Sequence, residues 1–167
     1  MPDGRIVICP GSYDPVTYGH LDIIERAANV FAKVVVGVVN LPLRKQATLF
    51  TAEERLEFLL QATEKLENVE AEVFDTLLVD FAHKHGATAL VKGLRAISDF
   101  EYEFEMNQLN RKLAPEIETV YLMASPEYSF IRSSGIKEMA TFGAKVDDLV
   151  PAPVASALRE RISRVQG

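Results

Sequence analysis

Strands and helices alternate along the whole of this chain, which predicts an α/β fold: a Rossmann-like, doubly wound domain on a five-stranded parallel sheet of order 3-2-1-4-5, with helices on both faces. Two further observations support it. Most strand candidates, Val34-Val35-Val36-Gly37-Val38-Val39 above all, are continuous apolar runs without alternation, as strands covered on both faces must be. The loops after the first and fourth strands each carry a glycine and cationic or imidazole side chains, and in this strand order those loops meet at the crevice where the winding reverses.

The first strand, Ile6-Val7-Ile8-Cys9, is β-branched and expected to stop at Cys9, because Pro10 cannot continue a ladder. Gly11 frees the backbone, Asp14-Pro15 makes a turn, and after His20 the residues Leu21, Ile24, Ala27, Ala28 and Phe31 recur at helical spacing. Lys33 to Val39 is the second strand. Asn40 to Phe50 lacks periodicity, contains Pro42, Arg44 and Lys45, and reads as a loop and candidate lid. Thr51-Ala52-Glu53-Glu54 is a capping box for a helix whose inner face is expected to be Leu56, Leu59, Leu60 and Thr63. The third strand spans Val69 to Phe74, and a helix from Thr76 is closed by Gly86. Thr88 to Val91 is the fourth strand, leading into a loop Lys92-Gly93-Leu94-Arg95. A long polar helix from Asp99 to Leu113 places acids early and cations late, to suit its dipole. Thr119 to Met123 is the fifth strand. After the break at Pro126 a loop runs to Ser133 and Ser134, which open a helix, and a terminal helix follows from Val154 to Val165 behind Pro151 and Pro153.

At 167 residues, 48% hydrophobic and 25% charged, the chain suits one domain spanning 1–167, with a C-terminal helix at about 151–165. The formal net charge of −6, from 18 Lys and Arg against 24 Asp and Glu, argues against a general nucleic-acid binder or an anionic-membrane binder and leaves room for a local basic pocket. No basic stretch followed by a long apolar run stands at the N-terminus, and no apolar run reaches membrane-spanning length, so a cytoplasmic protein is expected. The single cysteine, Cys9, allows no disulfide within the chain and reads as a small buried hydrophobe rather than a nucleophile. His83 and His85, two apart on a helix, make a poor metal pair; a cation role at the helix C-terminus suits them better.

The chemistry concentrates around Pro10-Gly11-Ser12-Tyr13-Asp14-Pro15-Val16-Thr17-Tyr18-Gly19-His20. Helix N-termini attract phosphate through unpaired N–H groups and the helix dipole, and an imidazole there adds a donor. The plain alternative is a cap or surface histidine. Lys92 and Arg95 admit the same two readings, as ordinary surface cations or as phosphate ligands. Lys137, expected in the first turn of the helix opened by Ser133 and Ser134, opposes the dipole unless an anion docks; the alternative is a solvated lysine beside Glu138 and a serine cap. The convergence of His20, Lys92, Arg95 and Lys137 on one sheet edge favours a polyphosphate.

Thr17-Tyr18-Gly19-His20 matches the (His/Thr)-x-Gly-His signature of the nucleotidylyltransferase superfamily, and the surrounding motif resembles the bacterial phosphopantetheine adenylyltransferase family. The resemblance runs from Ile8 to about Leu149. It includes Lys92-Gly93-Leu94-Arg95, Asp99-Phe100-Glu101-Tyr102-Glu103, Tyr128-Ser129-Phe130-Ile131 and Ser133-Ser134-x-x-Lys137. It implies an enzyme that transfers the adenylyl group of ATP, carried with Mg²⁺, to 4′-phosphopantetheine, giving dephospho-coenzyme A and pyrophosphate. By that resemblance His20 is catalytic, and Ser12, Tyr13, His20, Gly93, Leu94, Arg95, Glu103, Tyr128, Ser129, Phe130, Ile131, Arg132, Ser133 and Ser134 bind ATP. Ser12, Arg44, Leu78 and Lys92 receive the acceptor, with Lys45 the alternative to Arg44. Arg132 stands where the family has Ser, so it turns either to phosphate or to solvent. A homohexamer and feedback inhibition by coenzyme A are also implied. The sequence shows no nucleophile-and-base set, consistent with an acceptor phosphate that attacks as an ionised oxygen, leaving alignment and charge stabilisation to the protein and Mg²⁺. The rival readings are an adenylyltransferase for nicotinate or nicotinamide mononucleotide and a non-catalytic nucleotide-binding or flavodoxin-like module.

Overall fold

The computed structural model describes residues 3–41 and 48–166. Its strands are β1 (Asp3–Gly11), β2 (Phe31–Val39), β3 (Val69–Phe74), β4 (Ala89–Leu94) and β5 (Glu118–Met123), forming one parallel sheet of order β3-β2-β1-β4-β5. The helices are α1 (Tyr18–Val30), α2 (Ala52–Thr63), α3 (Leu78–Lys84), α4 (Ile97–Leu113), α5 (Ser133–Thr141) and α6 (Ala152–Gln166), with one 3₁₀ turn at Pro126–Tyr128. The expected strand order is therefore the observed one.

The unbroken valine runs have the cause inferred from them. Successive strand residues point to opposite faces. Val7 and Cys9 of β1, Val34, Val36 and Val38 of β2 and Val91 of β4 enter one core, shared with α1, α2, α5 and α6. Ile8, Val35 and Leu90 enter the other, beneath Val79, Phe81 and Ala82 of α3. With apolar cover on both faces, neither set of positions can be polar. Gly37 in β2 is a packing requirement, since a Cβ there would lie 2.8 Å from Phe81 Cε1 and 2.9 Å from Phe74 Cε1.

Several boundaries differ from expectation. β1 runs on through Pro10 to Gly11, because its ladder with β4 ends at Ile8↔Leu90 and a missing N–H beyond that point removes no bond on that side. Phe31 begins β2 rather than ending the first helix, and its backbone N–H closes that helix by donating to Ala27 O. β4 extends over Lys92, Gly93 and Leu94, which pair with Tyr121, Leu122 and Met123, so the expected loop is mostly strand. On α2 the buried positions are Ala52, Arg55, Leu59 and Thr63, while Leu60 is 44% exposed. The buried stripe is thus rotated from the leucine face and carries an arginine. The predicted capping box is present, with Thr51 N donating to Glu54 Oε2 at 2.8 Å. Gly86 closes the region after α3 with a φ of +63°, the left-handed state that glycine tolerates.

Only Val7↔Ala89 and Ile8↔Leu90 join β1 to β4, so the crevice opens between the carboxyl ends of these two strands.

Candidate active site

The loop that enters the crevice is shaped by Tyr13. Its φ of +51° lies in the left-handed region, its hydroxyl donates to Cys9 O at 2.9 Å, and its ring lies where a Gly11 side chain would be, 2.9 Å from an added Cβ. Gly11 is thus required for its missing side chain, not for the backbone freedom expected of it. Thr17 caps α1, and His20 occupies the third helical position, where glutamate normally completes the box. His20 N donates to Thr17 Oγ1 at 3.3 Å, and Thr17 N donates to His20 Nδ1 at 3.0 Å. Because Nδ1 accepts, the proton of the neutral ring sits on Nε2. Burial, reinforced by the positive charge of Arg95, pulls the pKa of His20 from 6.5 down to about 4. The Tyr13 ring meets the imidazole edge-on at 4.9 Å. His20 is therefore both a cap and a neutral Nε2–H donor on the crevice wall.

β4 supplies the opposite wall. Lys92 Nζ lies 2.7 Å from Glu103 Oε2, both side chains being mostly covered. Gly93 lets α1 pack closely, since a Cβ there would lie 2.9 Å from Ile23 Cγ1. Arg95 is held by Asp99 through Nε at 3.2 Å and donates from Nη1 to Ile131 O at 2.8 Å. The segment after β5 is fastened by α1: Ser125 Oγ donates to Asp22 Oδ2 at 2.9 Å, and Arg26 Nη1 donates to Met123 O at 2.7 Å. These ties bring Tyr128 and Ile131 over the crevice. The cavity in this crevice measures about 440 Å³.

Of the residues singled out from sequence, Ser12, Tyr13, His20, Leu78, Lys92, Gly93, Arg95, Glu103, Tyr128 and Ile131 line this one cavity. Leu94, Ser129, Phe130, Arg132, Ser133 and Ser134 do not. Leu94 O accepts from Ala124 N, Ser129 Oγ donates to Pro126 O, and Phe130 is 71% exposed. Arg132 turns outward, its Nη2 3.9 Å from Asp99 Oδ1. Ser133 does not cap its helix, whose cap position is Arg132; its hydroxyl donates to Pro15 O at 2.8 Å. Lys137 sits in the second turn of α5, not the first, and faces Asp14 Oδ2 at 2.9 Å instead of the cavity. Arg44 and Lys45 lie outside the described residues.

Cys9 borders the cavity but is 2% exposed, and burial pushes its thiol up to about 12, which suits a packed side chain and not a nucleophile. His83 pairs with Glu116 at 2.7 Å and His85 with Glu72 at 3.0 Å. No group of three or more His, Cys, Asp or Glu suited to a metal occurs among the described residues, nor does a helix long and apolar enough to cross a membrane.

Asp14, Arg55 and Arg161 were not legible as site residues. Asp14 is 4% exposed and accepts from Leu49 N and Phe50 N, both at 2.9 Å, as well as from Lys137. Arg161 of α6 donates to Leu49 O at 2.7 Å, pairs with Glu54 and covers the Phe50 ring. Arg55 donates to Ser12 O and Val39 O. The one available signal was an arginine at the spacing of the buried stripe Ala52, Leu59 and Thr63. Thr76, Leu77, Tyr102, Met106 and Asn110 also line the cavity; Tyr102 stands within the Asp99-to-Glu103 motif though no site role was read for it, and the other four carry no motif.

The cytidylyltransferase-like family model matches residues 8–139. A protein named phosphopantetheine adenylyltransferase from Caldanaerobacter subterraneus subsp. tengcongensis is 49% identical over 96% of this chain and 99% of its own length. One of the same name from Rubrobacter xylanophilus is 52% identical over 98% of both chains, and one from Desulforudis audaxviator is 50% identical over 94% of this chain and 95% of its own. A solved structure from Vibrio parahaemolyticus, provisionally named a nicotinate-nucleotide adenylyltransferase, superposes with a TM-score of 0.65 over 93% of this chain and 99% of its own. At 15% identity it is evidence for the shared fold alone. The chain belongs to the cytidylyltransferase-like family and, within it, to the phosphopantetheine adenylyltransferases.

Proposed function

We propose that this chain transfers the adenylyl group of ATP to 4′-phosphopantetheine, releasing pyrophosphate and forming dephospho-coenzyme A, a step of coenzyme A biosynthesis. The observation that carries the reaction type is the neutral Nε2–H of His20 facing a crevice whose other wall bears Lys92 and Arg95, with no activated nucleophile beside it. The names of the relatives carry the choice of acceptor. An oxygen of the acceptor phosphate, already ionised, forms the new bond to the α-phosphorus, and the bond to the bridging oxygen breaks, its electron pair leaving with pyrophosphate. No protein base is needed. His20 donates to the oxygens on which charge grows, a role preorganised donors fill at small reorganisation cost.

In this reading Ser12 and the neighbouring backbone hold phosphate at the junction of the two substrates. Gly93, Leu94, Arg95, Glu103 and the segment from Tyr128 to Ser134 take ATP. Lys92, Leu78 and Arg44 take the acceptor. Arg132 then reaches ATP only by turning back from the solvent-facing position it holds here. Mg²⁺, if carried in on the triphosphate, would supply charge neutralisation there, while Lys92 and Arg95 provide the cationic groups of this chain on the crevice wall. The protein works in the cytoplasm as a homohexamer and is inhibited by coenzyme A; the exposure of Phe100, Phe104 and Leu113 along α4 supports self-association. Pyrophosphate release with ATP and Mg²⁺ tests the whole reading, with 4′-phosphopantetheine and nicotinate mononucleotide as parallel acceptors. Release with the first alone is expected. Release with the second alone would overturn the acceptor, and ATP binding without release in either arm would make the chain a binding module. His20→Ala should abolish turnover while leaving the fold intact.

A further inference from the structure

A guanidinium is costly to bury, yet Arg55 of α2 is only 2% exposed. It does not line the cavity. From behind the cavity wall its Nη1 donates to Ser12 O at 2.6 Å and Val39 O at 3.0 Å, and its Nε donates to Thr51 O at 3.3 Å. Ser12 and Val39 both border the cavity, so this one side chain ties the loop after β1 to the exit of β2 and to the start of α2.

The bond to Ser12 O has a consequence for the next amide. In a planar trans peptide the N–H points opposite to the C=O. The peptide joining Ser12 to Tyr13 is trans, since among the described residues the one cis bond is Asp14–Pro15. With the Ser12 carbonyl drawn back onto Arg55, the Tyr13 N–H turns toward the cavity, and no acceptor for it occurs among the described residues. Turned the other way, this peptide would present a carbonyl oxygen to any bound phosphate and repel it.

We propose that Arg55 is a positioning residue which holds the Ser12–Tyr13 peptide with its N–H directed at the phosphate bound beside His20. The proposal rests on the phosphoryl-handling role given to the cavity above. It assigns Arg55 no contact with substrate, only control of a donor that makes one.

Selective ¹⁵N-tyrosine labelling tests it, since the chain has five tyrosines and Tyr13→Phe identifies the signal. In the wild-type protein, titration with inorganic pyrophosphate should shift the Tyr13 amide. In Arg55→Met that response should vanish and kcat should fall about a hundredfold, the usual effect of losing one preorganised donor. KM for the acceptor should stay near its wild-type value. Arg55→Lys, which keeps a donor for the Ser12 carbonyl, should recover part of both kcat and the amide response. A merely structural role for Arg55 would lower stability without this split or this rescue. If Arg55→Met does not fold, the lysine variant and the wild-type titration decide. An unmoved Tyr13 amide in the wild type, or variants that keep both kcat and the amide response, overturns the proposal. If wild-type protein shows the Tyr13 response and its loss on substitution but releases no pyrophosphate with either acceptor, the positioning role stands and the reaction assigned above falls.

Discussion

Lowering the pH from 7.5 to 5 should destabilise the fold through His20 by an amount the structure allows to be worked out. In the unfolded chain the imidazole takes a proton near 6.5; in the fold, burial and Arg95 hold it down to about 4. A depressed histidine favours the fold while the ring is neutral in both states. That stability is complete above 6.5 and is lost as the pH falls toward 4, because only the unfolded state binds the proton in that window. Integrating between these two values gives a loss of about 2 kcal/mol at pH 5 relative to pH 7.5, and water at the ring's open edge offsets some of it. Protonation would also place an N–H at Nδ1, where Thr17 N already donates, and so break the cap. The assay is urea unfolding at both pH values and one protein concentration, for wild type and His20→Gln. Glutamine at the third helical position preserves the capping acceptor but does not titrate. The wild type should lose more stability on acidification than the variant, by roughly that 2 kcal/mol. Equal losses, or an imidazole that titrates near 6.5 by NMR, would refute the reasoning.

Four other substitutions or treatments have definite expected outcomes. Asp14→Asn replaces an acceptor oxygen with an NH₂ group among Leu49 N, Phe50 N and Lys137 Nζ, all donors, and should cost about 2–4 kcal/mol in chemical denaturation; a cost near zero would mean the carboxylate is not the anchor of that turn. Gly37→Ala drives a methyl into the stacked rings of Phe74 and Phe81, whose centroids are 4.4 Å apart, and should destabilise by about 1–3 kcal/mol. By contrast Gly135→Ala, on α5 with nothing within 4 Å of the new Cβ, should stabilise by up to about 1 kcal/mol, and thermal melts of the pair read both signs. Iodoacetamide at pH 8 should leave Cys9 unmodified in the native protein and alkylate it in urea, since burial pushes the thiol up to about 12; rapid native labelling would contradict the packing described here.

The strand order and the pairing of the two glycine loops were legible because both follow from local chemistry. Valine runs without alternation can be satisfied only by a sheet covered on both faces, and a parallel sheet with short right-handed connections leaves few orders to choose from. The extent of β4 was not legible, because Lys92 and Gly93 are weak strand formers and enter the sheet only through their partners Tyr121 and Leu122. Lys137 was misread for a related reason. Its position on a helix says nothing about Asp14, which lies 123 residues away.

Sequence alone determined which residues have the chemistry for phosphate: His20 at the head of a helix, Lys92 and Arg95 at the carboxyl end of a strand, and a motif spacing that nothing else in the chain duplicates. These are properties of side-chain type and short-range order. What each of them does was decided by the tertiary structure. The tautomer of His20 depends on a hydrogen bond with Thr17, its low pKa on burial and Arg95, the direction of the Tyr13 amide on an arginine from another helix, and the exclusion of Lys137 on a buried carboxylate. Hydrogen bonds and desolvation act over a few ångströms in space, so residues far apart in the chain set them, and no local pattern encodes which ones will meet.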